Sequence, residues 1–350
     1  MQIHWSQSRG RIITASHSFQ RELTVALQAV QQAAIACRAV QSAINTESHA
    51  KQDNSPVTVA DYASQALICR QLRDSFPADQ VIGEEGAAEL RTTESAAFLD
   101  RVVMECSSAG ATGSADEVCG WIDHGSASHY SPRFWTLDPI DGTKGFLRRE
   151  QYAIALALIV DGVIEIGVLG CPNLPLPGTE AGTGTLAWAV RGHGAWMQPL
   201  IAENRSGVES ASADTIHVSK VSNAADFAVC ESVESGHSSH DWSGLIATAL
   251  EIHREPVRMD SQCKYVAVAR GDADLYLRLP TKKGYQEKIW DHAAGVLLVT
   301  EAGGHVTDIH GASLDWSRGS TLATNTGIVA SNGSVHAQIL QAVSTSAPAI

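Results

Sequence analysis

The sequence predicts a layered α+β / α/β sandwich, with an antiparallel sheet dominating the N-terminal half and a mixed α/β C-terminal half. Three observations carry this. The apolar runs 152–171 and 185–197 break at Asp161-Gly162 and at Arg191-Gly192-His193-Gly194, so both read as hairpins. Beyond residue 227 strand-like and helix-like segments alternate, which favours stacked α/β layers. Between the halves lies a polar stretch at 202–214, opening Glu203-Asn204-Arg205-Ser206-Gly207, which divides the chain into expected domains 1–201 and 202–350.

The elements follow in order. Residues 1–18 are expected to be disordered. Over 19–45, Leu23, Leu27, Val30, Ala34, Cys37 and Ile44 form an apolar helical stripe broken at Gln41. A second helix is expected from about 61 to 76, introduced by Thr58-Val59-Ala60-Asp61, a capping-box pattern. Residues 90–133 are rich in Ser, Gly and Ala and read as an irregular insertion. After the hairpins come a strand (227–233), a helix (242–252), a short strand, a helix (261–270) and a strand (273–279). A helix (291–302), strands at 305–309 and 327–331 and a helix (335–344) complete the chain. No internal repeat is visible.

Composition narrows the function classes. A chain of 350 residues, 44% hydrophobic and 18% charged, can bury a sizeable core. No run approaches the ~18–20 apolar residues of a membrane span, so no membrane role is expected. A net charge of −13 argues against nucleic acid as partner. An acidic protein can still bind a small anion where metals and a few cations are concentrated. The seven cysteines are scattered, with no Cys-x-x-Cys pair, so reduced thiols and a cytoplasmic location are expected. Arg9, Arg11 and Arg21, with no acid among the first 21 residues, leave an organelle address as the alternative.

The chemistry centres on Asp138-Pro139-Ile140-Asp141-Gly142-Thr143, after the apolar run Phe134-Trp135-Thr136-Leu137. Two carboxylates about 4 Å apart repel by roughly 4 kcal/mol at an effective dielectric of about 20. They call for a cation between them. Proline and glycine shape the turn, and carboxylates with backbone carbonyls and water are what Mg²⁺ prefers. The motif therefore suggests a hard-metal site beside a phosphate. Two further segments end or begin in acids, Val81-Ile82-Gly83-Glu84-Glu85-Gly86 and Trp290-Asp291-His292-Ala293-Ala294-Gly295. Taken singly, Glu84 reads as a solvated turn residue, and Asp61 and Asp291 as helix caps.

Together, in this order and with Glu301-Ala302-Gly303-Gly304 following, these segments resemble the lithium-sensitive, Mg²⁺-dependent inositol monophosphatase superfamily. That resemblance implies alternating α-β-α-β-α layers. Within it, Asp53-Asn54-Ser55-Pro56-Val57-Thr58, Asp141–Arg148, Gly236–Asp241, Asp260–Tyr265, Asp274–Pro280 and Tyr285–Asp291 are similar to eukaryotic-type 3′(2′),5′-bisphosphate nucleotidases. The similarity spans about 20–345, apart from 90–133.

What this implies is specific. Glu84, Asp138, Asp141, Asp291 and the Ile140 carbonyl would hold up to three Mg²⁺, and Thr143, aligned by Asp61, would help deprotonate the attacking water. Helix N-termini after Thr143 and at Asp291 would add positive potential. Thr143, His237, Ser261, Lys264, Arg278 and Asp291 would contact adenosine 3′,5′-bisphosphate, with His240 the lesser candidate of the histidine pair. The product would be AMP, the phosphosulfate relative could serve as a second substrate, the setting would be sulfate assimilation, and the protein would act as a monomer. The residues themselves favour a nucleotide over inositol: Lys264 and Arg278 stand where inositol monophosphatases carry a small or apolar residue and an acid, and an arginine fork with a lysine suits a second phosphate. Competing readings are an inositol polyphosphate phosphatase of the same superfamily, a haloacid-dehalogenase-type phosphatase, whose aspartates are spaced differently, and a catalytically silent nucleotide sensor.

Overall fold

The computed structural model describes residues 18–44, 58–179, 182–200, 213–234, 236 and 238–348. The expected disorder of 1–18, the Asp53–Val57 motif and His237 fall wholly or almost wholly outside these residues. Among them, one sheet runs in chain order through β1 (Gln80–Gly83), β2 (Arg133–Asp141), β3 (Ala153–Val160), β4 (Val163–Cys171), β5 (Thr185–Val190), β6 (Ala195–Pro199) and β7 (Asp214–Ile216). The second sheet contains β8 (Val229–Glu231), β9 (Val257–Arg258), β10 (Leu275–Arg278), β11 (His305–Thr307) and β12 (Ile328–Ser331), ordered β11-β12-β10-β8-β9.

Helices separate and cover these sheets. α1 (Gln20–Ala43) and α2 (Val59–Ser75) pack on the outer face of the first sheet. α7 (Cys263–Ala269) and α8 (Ala293–Glu301) lie between the two sheets. α6 (His240–Ala249) and α9 (His336–Thr345) cover the far face of the second. The result is the expected five-layer α-β-α-β-α sandwich. The chain knits across the expected division at 201/202, since β7 pairs with β6 and α8 packs on β4 and β5.

Strand alternation explains the layering. In β3, Ile154, Leu156 and Leu158 face α1 and α2, whereas Ala153, Ala155 and Ala157 face α8. β5 repeats this with Leu186, Trp188 and Val190 outward and Ala187 and Ala189 inward. The small inner face lets α8 approach closely. A Cβ on Gly167 would lie 2.7 Å from the Ala294 carbonyl oxygen, and one on Gly295 would lie 2.3 Å from the Tyr265 ring. This contact brings the start of α8, and with it Asp291, up to the first sheet.

Two expectations need correction. Residues 90–133 are not irregular, for they contain α3 (Ala96–Ser108) and α4 (Ala115–Asp123), packed on α2 through Val102, Cys106, Val118 and Ile122. The signals were present: Val102 and Cys106 at helical spacing, and a capping box closed between Ser114 and Glu117. The small residues of the flanking turns masked them. Likewise, α1 is long and apolar enough by composition to cross a membrane. Ala26, Ala29, Val30, Ala33, Ala34 and Cys37 show where that apolarity goes, because all are buried in the core beneath α2 and the sheet. The seven cysteines are all free and buried.

Candidate active site

The register of the first sheet assembles the acids. β1 and β2 run parallel with Gly83 opposite Leu137, so Glu84, just past the end of β1, comes out beside Asp138, which still pairs with Ala155 of β3. The antiparallel β2–β3 ladder then slips between Asp138 and Asp141, the one pairing interruption in β2, where Pro139 has no N–H to donate. Ser64 of α2 donates to the Pro139 carbonyl at 2.9 Å. Gln65 of α2 accepts from Glu85 N at 3.0 Å and donates to its carbonyl, fixing the acidic turn. Gly142, at φ 89°, reverses the chain into α5 (Thr143–Leu147). That helix is only five residues long, so the positive potential expected there is short-ranged.

The second half of the chain is pinned to this turn by Gln262. Its backbone N–H donates to Asp141 Oδ2, its side chain donates to the Trp290 carbonyl at 2.8 Å, and it accepts from Gly295 N at 3.1 Å. One glutamine thus ties Asp141 to the chain on both sides of Asp291. Its neighbour Ser261 holds a left-handed φ of 68° against Gly142.

A cleft of about 650 Å³ opens over these residues. Asp61, Glu84, Asp138, Ile140, Asp141, Thr143, Ser261, Lys264, Arg278 and Asp291 all line it. The structure therefore gathers every candidate residue except His237, which lies outside the described residues. His240 does not line it; its Nε2 is bound to the Ser232 carbonyl at 2.9 Å. Glu85, Ser232, Gln262 and Tyr285 line the cleft as well, and none of them was assigned a role from sequence. Gln262 and Tyr285 sat inside the quoted motifs, but nothing in spacing distinguishes an amide that staples two segments from one in solvent.

The site is divided electrostatically. Asp138, Asp141 and Asp291 each offer an oxygen within 4.8 Å of the others. Burial first, then the charges of Glu84, Asp141 and Asp291, push the Asp138 carboxyl well above the carboxylate range. Burial likewise raises Glu84 and Asp291 to about 7, Glu85 to about 8 and Asp61 to about 6. Asp138 Oδ1 is buried without a hydrogen-bond partner. A buried, partnerless carboxylate oxygen among other carboxylates fits a hard divalent cation, so the donor set suits the metal that the motif suggested. Ile140 belongs here through its backbone, since its side chain is buried in the core under α2. A second acidic group, Glu287 with Asp291 and His292, is a poorer cage, because Glu287 is already paired with Arg278 and His292 at 3.2 Å.

Asp61 and Thr143 are placed differently from the expected alignment. Asp61 Oδ2 closes the α2 capping box, accepting from Thr58 N at 2.8 Å and Thr58 Oγ1 at 2.6 Å. Thr143 Oγ1 donates to the Ile140 carbonyl at 3.4 Å. No direct bond joins the two among the described residues. Both nevertheless line the same cleft.

Cations line the same cleft. Lys264 is buried, its Nζ donating to the Met259 carbonyl at 3.2 Å and lying 5.2 Å from the Tyr276 ring centroid. Burial lowers its pKa, and the Asp141 charge opposes that shift. Arg278, at the end of β10, also lines the cleft and is held by Glu287.

Comparison with known proteins gives the family and the fold. The family model for the inositol monophosphatase family matches residues 20–347. A protein of Emericella nidulans named 3′(2′),5′-bisphosphate nucleotidase is 41% identical, over 93% of this chain and 98% of its own. Namesakes in Schizosaccharomyces pombe and Oryza sativa are each 42% identical, over 93% and 94% of this chain and 95% of their own. Among solved structures, an IMPase of Thermotoga maritima superposes with a TM-score of 0.61 at 19% identity, covering 93% of this chain and 98% of its own. An inositol monophosphatase from Anabaena gives 0.60 at 21%, covering 95% and 99%. At these identities the superpositions speak for the fold alone.

Proposed function

The chain belongs to the inositol monophosphatase family, which is metal-dependent, and from that premise we propose that it is a Mg²⁺-dependent phosphatase removing the 3′-phosphate of adenosine 3′,5′-bisphosphate, giving AMP and phosphate. The phosphosulfate relative is a second substrate of the same shape. The observation that carries this reading is one cleft lined both by the carboxylates Asp138, Asp141 and Asp291 and by the cations Lys264 and Arg278. A ligand with a single phosphate on a metal would not need both cations. The names of the relatives at about 41% identity point to the same substrate class.

In this reading Glu84, Asp138, Asp141, Asp291 and the Ile140 carbonyl hold the metal. When bound, Mg²⁺ supplies Lewis-acid charge to the phosphate oxygens and acidifies water in its reach. The chain's own residues do the remaining work. Gln262 keeps Asp141 and the start of α8 in register, so the acids stay preorganised. Thr143 Oγ1, bonded to the Ile140 carbonyl, sits at the turn where a water proton has to be taken up. Asp61 lines the same cleft, commits Oδ2 to Thr58 and, with its carboxyl raised by burial to about 6, would take up that proton without a direct bond to Thr143. Lys264 and Arg278 bind the phosphate that does not react, orienting the 3′ end towards the acids.

The test is a substrate panel with phosphate detection, run with and without Mg²⁺ and with Li⁺. The expected result is Mg²⁺-dependent release from adenosine 3′,5′-bisphosphate, inhibited by Li⁺. Release at least tenfold more efficient from inositol 1,4-bisphosphate would overturn the substrate assignment, and no release from any bisphosphate would overturn the activity.

A further inference from the structure

Two residues lining the cleft carry a buried side-chain oxygen with no hydrogen-bond partner among the described residues. One is Asp138, whose Oδ1 suits a cation. The other is Ser232, whose residue is 1% exposed. A buried hydroxyl without a partner is costly unless a ligand satisfies it. Other buried serines around the site are satisfied: Ser64 donates to Pro139, Ser238 donates to Leu277 and accepts from Leu279, and Ser261 accepts from Cys263 N.

Topology groups Ser232 with the cations of the cleft. β8 and β10 are parallel, with Val229 opposite Leu275 and Cys230 opposite Tyr276. Their carboxyl ends therefore reach the same edge, where ligands bind in open α/β sheets. Ser232 directly follows β8 and Arg278 closes β10. Lys264 belongs to the same group. Its Nζ donates to the Met259 carbonyl, and Met259 N donates to the carbonyl of Glu231, the residue before Ser232. The Ser232 carbonyl is engaged by His240 Nε2, so its backbone is fixed.

We propose that Ser232 is a specificity-determining residue, its Oγ–H donating to an oxygen of the substrate's non-reacting phosphate alongside Lys264 and Arg278. Lysine and arginine are donors only, and a hydroxyl in their company meets the same acceptor. The inference rests on the substrate reading above and adds a named contact to it.

The experiment compares wild type with Ser232→Ala on adenosine 3′,5′-bisphosphate and on adenosine 3′-monophosphate, which carries only the reacting phosphate. Thermal denaturation of the metal-free proteins accompanies the kinetics. A hydrogen bond to a charged group is worth about tenfold or more in affinity. The expected result is a rise of about tenfold in KM for the bisphosphate with kcat changed less than about twofold. The preference for bisphosphate over monophosphate should shrink by the same factor. The melting temperature of the variant should be no lower than wild type, because alanine removes an unmet hydroxyl. Equal losses on both substrates, or an unchanged preference, would overturn the proposal while leaving the enzyme's substrate intact. A wild type inactive on the bisphosphate would instead overturn the functional reading on which it rests.

Discussion

Both carboxylate oxygens of Glu287 accept from Nε of Arg278 at 3.2 Å, and the same carboxylate faces His292 Nε2 at 3.2 Å. His292 in turn meets the Tyr265 hydroxyl at 2.9 Å through Nδ1. Burial works against the charge on Glu287, but His292 and Arg278 outweigh it and hold the carboxyl at about 2. A cation that lines the cleft is thus held by a residue that does not line it. Removing one member of a buried pair costs about 3–5 kcal/mol. Glu287→Gln should lower stability by about that much in urea denaturation. It should also raise KM for the bisphosphate more than it lowers kcat, because Arg278 loses its anchor. Unchanged KM would show that Arg278 positions itself.

The acids trade stability for function. Burial pushes Glu84, Asp138 and Asp291 upwards, and neighbouring carboxylates add to it: Asp61 and Asp141 at Glu84; Glu84, Asp141 and Asp291 at Asp138; and Asp141 and Glu84 at Asp291. Removing one of their charges relieves that repulsion. Asp138→Asn should therefore end turnover while raising the melting temperature of the metal-free protein. Adding Mg²⁺ should raise the melting temperature of wild type, since a ligand that binds only the folded state stabilises it. The variant should respond little. A variant that melts lower than metal-free wild type would count against the repulsion.

Gly142 is required by conformation and by space. Its φ is 89°, and a Cβ there would lie 3.0 Å from Ser261 Cβ and 3.3 Å from Ser261 N. Left-handed backbone costs a non-glycine residue about 1–2 kcal/mol. Gly142→Ala should destabilise by at least that amount. Displacing Asp141 and Thr143 from their places should cut kcat/KM by about a hundredfold. Wild-type kinetics in this variant would mean the turn tolerates movement.

A buried histidine far from the cleft sets an acid limit. His336 Nε2 and Nδ1 bond Thr307 at 2.9 Å and Ser331 at 2.8 Å, and its ring stacks on His305 at 4.4 Å. Burial, and then His305, lower its pKa to about 4. The unfolded chain takes up this proton near 6.5 and the folded chain does not, so the unfolded state binds more protons between the two values. Stability from this site is complete above about 6.5 and declines as pH falls towards 4. Across that window Glu84 and Asp291 change stability in the opposite sense, so the informative quantity is the difference between wild type and His336→Gln. Melting curves from pH 7 to 4 should diverge, with wild type losing more. Parallel curves would remove His336 from the account.

Glu84, Asp61 and Asp291 enter the site only through the family resemblance, whereas the sequence by itself determined the layered fold, the hairpins, the capping box at Thr58 and the Asp138/Asp141 pair. Those rest on local physics: period-two and helical apolar spacing, glycine turns, and like charges close enough in the chain to need a cation. It misled over 90–133, where flanking Ser and Gly hid α3 and α4, and over the apolarity of α1, which the core absorbs. Only the tertiary structure decided which residues become neighbours. Parallel pairing of β1 with β2 sets Glu84 beside Asp138, the alanine face of β3 and β5 admits α8 with Asp291, and β8 beside β10 brings Ser232 to the same sheet edge as Arg278. It also showed Glu287 holding Arg278. The strand and helix contacts join residues tens to more than a hundred positions apart. Nothing in a single chain's spacing encodes them, because register and helix docking are settled by the packing of the whole core.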